Sequence, residues 1–253
     1  MTSRLHFDLH PPGRVKPDWR AALRAFRALL ADPDHTDLAY QVFDALDPDI
    51  HERSLARVLA HPEGRRVFAE RPVLLSVLSD RVLLEAMPDG SFGRAYLDHV
   101  DRYDLDPSKL VQLERDHREI YGGDPDLCWS GERSALQHDL WHVLAGYGAD
   151  ELGEGALLAF SLAQAGGRAN LLLSIGSNVR LSFEVGPRWL LYAFRAWRRG
   201  KRAVCLNPLP YEELLELPLS EVRAAVGLNP PEVDHPDGVV YGNPLPKVES
   251  RVS

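Results

Sequence analysis

The residues best suited to chemistry lie in one stretch, QHDLWHVLAGYGADELGEGALLAF, residues 137–160. His138 and His142 stand four apart. On a helix, positions i and i+4 project from one face about 6 Å apart, so both imidazoles can reach one metal ion. Asp139 lies about 100° round from His138, within reach of the same ion for a bent carboxylate. Glu154 follows His142 by twelve residues, which is about 18 Å of rise on an uninterrupted helix. Gly146 and Gly148 interrupt that helix, and Asp150 is placed to cap a new one. An αα-hairpin turning there brings Glu154 back beside His142. Taken singly, each residue has a plainer reading. Histidine pairs bond carbonyls, Asp139 can fix a histidine tautomer, and Glu154 suits the positive end of a helix dipole. Only the metal hairpin accounts for their joint arrangement about a glycine turn.

The elements that must position these residues read as helices almost throughout. Trp19, Leu23, Phe26 and Leu30 recur at helical spacing after Pro17, a residue favoured in a first turn. Leu38, Val42 and Leu46 follow Thr36, a plausible cap. Prolines 48, 62, 72 and 88 separate short helices. Further helical windows run near 91–103, 107–121, 131–145, 150–165, 187–200 and 209–226. The best strand signal is 178–185, where Val179, Leu181, Phe183 and Val185 alternate with polar residues. A helix across 169–184 competes with it. The expected fold is all-α, a single multi-helix domain over 17–228, with loosely ordered extensions at 1–16 and 229–253.

Composition narrows the function classes. The chain has 253 residues, 45% of them hydrophobic, and a formal net charge of −8. That balance argues against a nucleic-acid partner, which needs a concentrated basic surface. Two cysteines, Cys128 and Cys205, make neither a disulfide framework nor a four-cysteine zinc site. No apolar signal segment opens the chain, and the charge-free run 155–167 is too short to span a bilayer. The expected location is a bacterial cytoplasm, peripheral to the inner membrane. GSFGRAY (90–96) is a second candidate site. There Gly90 and Gly93 would let the backbone approach a cofactor or ligand, with Arg94 contacting its carboxylate or phosphate. The plainer reading makes Ser91 a helix cap.

H-D-L-W-H followed by eleven residues and Glu resembles the H-D-x-x-H-x(11)-E metal motif of the coenzyme Q (ubiquinone) biosynthesis family of the fourth Coq protein. HPEGRRVFAERPVL (61–74) resembles the family's glycine–arginine helix and E-R-P segment. MPDGSFGRAYLDHV (87–100) resembles its P-x-G-S-L-G-R-A-Y segment, and residues 189–200 and 212–228 its C-terminal helices. The resemblance implies an all-helical protein, often a homodimer, at a membrane surface beside other ubiquinone-biosynthesis proteins. Its implied ligand is a polyprenylated aromatic quinone precursor. His138, Asp139, His142 and Glu154 would be its zinc residues and carry catalysis. The family is regarded both as the catalyst that replaces a ring carboxylate by hydroxyl and as a non-catalytic scaffold. Zn2+ follows from the resemblance, whereas Fe2+ better suits an oxidative reaction.

Physical reasoning adds three expectations. A prenyl tail needs an apolar groove, which 155–167 and 169–175 could line beside the metal hairpin. Arg188, Arg195, Arg198, Arg199, Lys201 and Arg202, interleaved with Trp189, Tyr192, Phe194 and Trp197, could dock on anionic headgroups. A third class, a metal-dependent phosphohydrolase suggested by the His138–Asp139 pair, would recruit further ligands such as His99, His117 and Asp101.

Overall fold

Most of the helices form near where the periodicity places them, and several are opened by a capping side chain or a proline. In the computed structural model, described for residues 16–32, 35, 37–116, 123–228, 239–240 and 243–244, α1 (Trp19–Ala31) starts at Asp18. Its carboxylate accepts from the Arg20 and Ala21 amides, so Pro17 precedes the cap and lies outside the first turn. α2 (Asp37–Leu46) follows; the expected Thr36 cap lies outside the described residues. α3 (Ile50–Ala60) leads into α4 (Pro62–Glu70), where Pro62 takes the first position that its missing N–H suits. Two short helices, α5 (Leu74–Leu78) and α6 (Arg81–Ala86), reach α7 (Phe92–Tyr103). α8 is Pro107–Asp116, and the remainder of the 107–121 window lies outside the described residues.

Four long helices carry the centre: α9 (Pro125–Ala145), α10 (Glu151–Ala165), α11 (Arg168–Val185) and α12 (Arg188–Arg202). α9 begins earlier than the 131–145 window because Asp124 caps it and Pro125 starts it. α11 is helical through 178–185, so the strand alternative is wrong. Asn178 faces inward there, donating to the Gly155 and Ser174 carbonyls and accepting from Trp189 Nε1. The 209–226 window splits into α13 (Tyr211–Leu214) and α14 (Leu219–Ala225), with Pro218 before the second. Beyond position 228 the described residues hold one antiparallel pair, β1 (Val239–Val240) with β2 (Asn243–Pro244). The expected loose extensions otherwise fall outside the described residues.

The main core gathers α5–α14, α11 through Leu181, about Phe92, Tyr96, Leu140, Leu144, Phe160 and Trp189. A smaller core joins α1, α2 and α11 through Phe26, Val42, Leu46, Ala169 and Leu173. α11 lacks a side-chain cap of its own. Asp47, buried at the end of α2, accepts from the Ala169 amide at 2.7 Å and pairs with Arg53 at 2.9 Å. A charged hydrogen bond of this kind contributes about 1.5–3 kcal/mol. It ties the end of α2 and the start of α3 to the first turn of α11.

Much of the expected groove is core. Ala156, Leu157, Ala159 and Phe160 of α10 are buried, as are Ala169 and Leu173 of α11. What remains open is a stripe on α11, where Leu171, Ile175, Val179 and Phe183 recur every four residues and are exposed. Beside it α12 exposes Leu190, Leu191 and Phe194. Trp189 and Tyr192, stacked at 5.2 Å, point inward instead of toward a lipid surface. No helix among the described residues is long and apolar enough to cross a membrane.

Candidate metal centre

The turn between α9 and α10 decides the site. α9 ends at Gly146, whose φ of 73° is the left-handed conformation that glycine adopts without strain. The last four carbonyls of a helix have no partner within it, and here each has one. The His142 carbonyl accepts from the Gly146 and Tyr147 amides. Val143 and Leu144 accept from Arg223 at 2.8 and 3.0 Å, and Ala145 from Arg199 at 2.8 Å. Two cations at a helix C-terminus also complement its dipole. Arg199 is therefore spent inside the fold, bonded further to the Tyr147 hydroxyl, and is not a headgroup ligand. On the other side of the turn, the Asp150 carboxylate accepts from the Leu152 and Gly153 amides and starts α10.

This fold-back brings His138, His142 and Glu154 together, with one donor atom from each within 4.8 Å of the others. His142 Nε2 lies 3.1 Å from Glu154 Oε1, and His138 Nε2 lies 3.6 Å from Oε2. His142 is fully buried; the side chains of His138 and Glu154 are 45% and 40% exposed. The His142 Nδ1–H donates to the Tyr147 carbonyl at 3.1 Å, which leaves the Nε2 lone pair facing Glu154. That Nε2 is sealed from solvent, with the Glu154 carboxylate facing it. Asp139 stands one bond further out, its Oδ1 at 3.2 Å from His138 Nδ1. This is the carboxylate–histidine relation that orients a metal-binding imidazole, the tautomer-fixing role anticipated as its alternative.

The electrostatics fit a cation. Burial raises the Glu154 carboxyl, but both histidines outweigh it and hold it well below the ordinary range. Burial pulls His138 down, while Glu154 and Asp139 outweigh it and hold the imidazole up at about 10. Two imidazole nitrogens and one carboxylate oxygen suit zinc or ferrous iron and leave positions for other ligands.

Arg94 stands elsewhere. Its guanidinium donates to the Glu85 carbonyl at 3.0 Å, and its amide bonds the Ser91 hydroxyl, so the capping reading of GSFGRAY describes the segment. Gly93 serves close packing between backbones, its amide donating to the Leu215 carbonyl at 2.7 Å. Of the extra ligands considered for a phosphohydrolase, Asp101 pairs with Arg81 at the surface and His117 lies outside the described residues. His99 does reach the site, its ring stacked on His142 with centroids 5.3 Å apart. Arg199, Arg223 and the Tyr147 carbonyl carried no signal in the sequence as parts of the site.

The chain resembles known proteins along most of its length. The family model described as "Coenzyme Q (ubiquinone) biosynthesis protein Coq4" matches residues 18–232. The mitochondrial ubiquinone biosynthesis protein COQ4 homolog of Bos taurus is 30% identical over 172 residues, covering 67% of this chain and 62% of the relative. The mitochondrial ubiquinone biosynthesis protein coq-4 of Neurospora crassa is 29% identical over 208 residues, covering 80% of this chain and 57% of the relative. The chain thus spans under two thirds of the length of either. A crystal structure from Nostoc punctiforme PCC 73102, provisionally named for ubiquinone biosynthesis, has the same fold, with a TM-score of 0.57 at 21% identity. The match covers 85% of this chain and 100% of that one. A match spanning α1 to α14, with the histidine–glutamate cluster at its centre, makes this chain a member of the Coq4 family of coenzyme Q (ubiquinone) biosynthesis proteins.

Proposed function

We propose that the chain acts in ubiquinone biosynthesis as a metal-dependent enzyme that replaces the ring carboxylate of a polyprenylated hydroxybenzoate by a hydroxyl. The observation that carries this reading is the convergence of His138, His142 and Glu154 across the Gly146 turn. The reaction breaks the ring–carboxylate bond, releases carbon dioxide and forms a ring–oxygen bond. With water as the oxygen source, two electrons and two protons leave to an acceptor, dioxygen in the simplest case.

His138, His142 and Glu154 would hold the ion, with Asp139 behind His138. When bound, the ion supplies a Lewis acid for an oxygen ligand, and ferrous iron additionally supplies dioxygen activation. The protein's own part is orientation. The Tyr147 carbonyl fixes the His142 tautomer, and the buried wall of α9 and α10 keeps water from one side of the site. Elemental analysis of chain purified without added metal, beside a His142→Ala variant, tests the site. Conversion of the substrate followed by mass spectrometry tests the reaction. Equal metal content and equal hydroxylation in the variant would end this reading.

The proposal includes a membrane surface. α12 (RWLLYAFRAWRRGKR) contains no acidic residue in a chain whose net charge is −8. Arg195, Arg198, Lys201 and Arg202 are exposed beside Phe194 and the α11 stripe. Cations over an apolar face suit anionic headgroups and would bring the chain to its prenylated substrate.

A further inference from the structure

Polar groups that folding buries are almost always bonded, and those left unpaired mark a place where something is missing. Three buried atoms bear on one region. The Tyr96 hydroxyl and His99 Nε2 on α7 are sealed from solvent without a hydrogen-bond partner, and His142 Nε2 on α9 is sealed facing Glu154 at 3.1 Å. An ion held by His142 accounts for His142. It does not account for His99, whose ring lies face to face with His142 at an interplanar angle of 25°. A metal bonds an imidazole in the plane of its ring, and two stacked, nearly parallel rings do not share one ion easily.

Among the described residues, His99 is otherwise in contact with rings, Tyr103 at 5.1 Å and His142 at 5.3 Å. One helical turn back, Tyr96 is completely buried. Both side chains feel the charge of Asp139, so both lie on the side of α7 that packs against α9. A phenylalanine at position 99 would fill the same space without leaving a nitrogen unpaired. The imidazole therefore serves something that arrives from outside the chain.

We propose that His99 is a substrate-contacting residue, its Nε2–H donating a hydrogen bond to a carboxylate oxygen of an aryl acid bound beside the metal centre. This rests on the function proposed above for the same site. It adds the group that recognises the carboxylate, and so the reason an aryl acid is preferred over the corresponding phenol.

The test uses the full chain loaded with cobalt(II), whose visible bands report the ligand set. Two probes are added in mild detergent, 3-geranyl-4-hydroxybenzoate and 2-geranylphenol, which lacks the carboxylate. His99→Phe should retain cobalt with unchanged stoichiometry, and should melt no lower than wild type because an unpaired buried nitrogen has been removed. It should bind the acid at least about 10-fold more weakly, the size expected for one hydrogen bond to a charged group, and the phenol equally well. His99→Gln, which keeps a donor, should recover part of the loss. Equal binding of the acid by wild type and His99→Phe overturns the inference, as does failure of loaded wild type to bind the acid. Failure of wild type to take up cobalt at all instead overturns the metal reading beneath it.

Discussion

Gly153 is the residue at which stability and the proposed metal centre can be disturbed together, and Gly153→Ala should do so. A Cβ built there meets the Gly148 carbonyl oxygen at 1.8 Å, its carbon at 2.6 Å and its nitrogen at 2.8 Å. All three are backbone atoms and cannot rotate aside. Ordinary contact begins near 3.4 Å, so the turn must open by about 1.6 Å, whereas a working site tolerates about 0.5 Å. The strain falls between the two donors whose present separation is 3.1 Å. Overpacking of this kind costs about 1–3 kcal/mol, or roughly 2–12 °C in Tm for a chain of this size. Metal affinity should fall by on the order of 100-fold, at least the loss that follows from disturbing a ligand's outer support. Thermal melting and competition with a chromophoric chelator measure both. Gly90→Ala is the control. Gly90 has a φ of +75° with nothing within 4 Å, so an alanine there costs about 1–2 kcal/mol of backbone strain and leaves the metal in place. A Gly153→Ala protein that folds and binds metal like wild type would refute the claim that this turn sets the donor spacing.

Other outcomes follow from the same structure. Asp139→Ala should weaken metal binding by about 10–100-fold with little change in Tm, because His138 loses its orienting partner; the chelator competition reads this directly. Arg223→Met should cost about 1–3 kcal/mol for each of the Val143 and Leu144 carbonyls left unpaired, seen as a lower urea midpoint. Burial holds the His51 imidazole down at about 4, against about 6.5 when unfolded. The unfolded chain therefore binds a proton that the folded chain refuses, and stability present above pH 6.5 is lost as pH falls, by about 2 kcal/mol on reaching pH 5. Urea titrations at both pH values should show this, with a shallower pH slope in His51→Gln. Replacing Arg198, Lys201 and Arg202 by Glu should abolish sedimentation with phosphatidylglycerol vesicles at low salt, while phosphatidylcholine vesicles bind neither protein.

The site was legible to the extent that it is local. His138 and His142 share a helix face by spacing alone, and Gly146 with Asp150 announces the turn that returns Glu154. The supports were not legible, because Arg199 and Arg223 arrive from 54 and about 80 residues away and nothing in a run of arginines says which one is buried. Asp139 was readable in two ways because the angle of a helix position does not choose between an ion and a neighbouring imidazole. In 178–185 the alternation of Val179, Leu181, Phe183 and Val185 imitated a strand. Val179 and Phe183 also extend the four-residue spacing begun by Leu171 and Ile175, and Leu181 is buried on the other side. Eight residues were too few to separate the two periods, and the packing of Asn178 against Trp189 decided it. α12 misled differently. Its aromatics looked like one interfacial set, yet Trp189 and Tyr192 belong to the core and Phe194 to the surface.

The arginines that close the end of α9 impose an order on the birth of the site. A ribosome delivers Ala145 before Arg223, and at about 5–20 residues per second the interval is roughly 4–16 s. Through that interval the two histidines have been made while the end of their helix still lacks its anchors. Glu154 joins them early in this wait, so all three side chains are made before the frame that spaces them has closed. For a site that takes an ion as proposed above, the ion retained is the one that survives the docking of α12 and α14, and selection among metals becomes a matter of when the chain is finished as well as of what it offers.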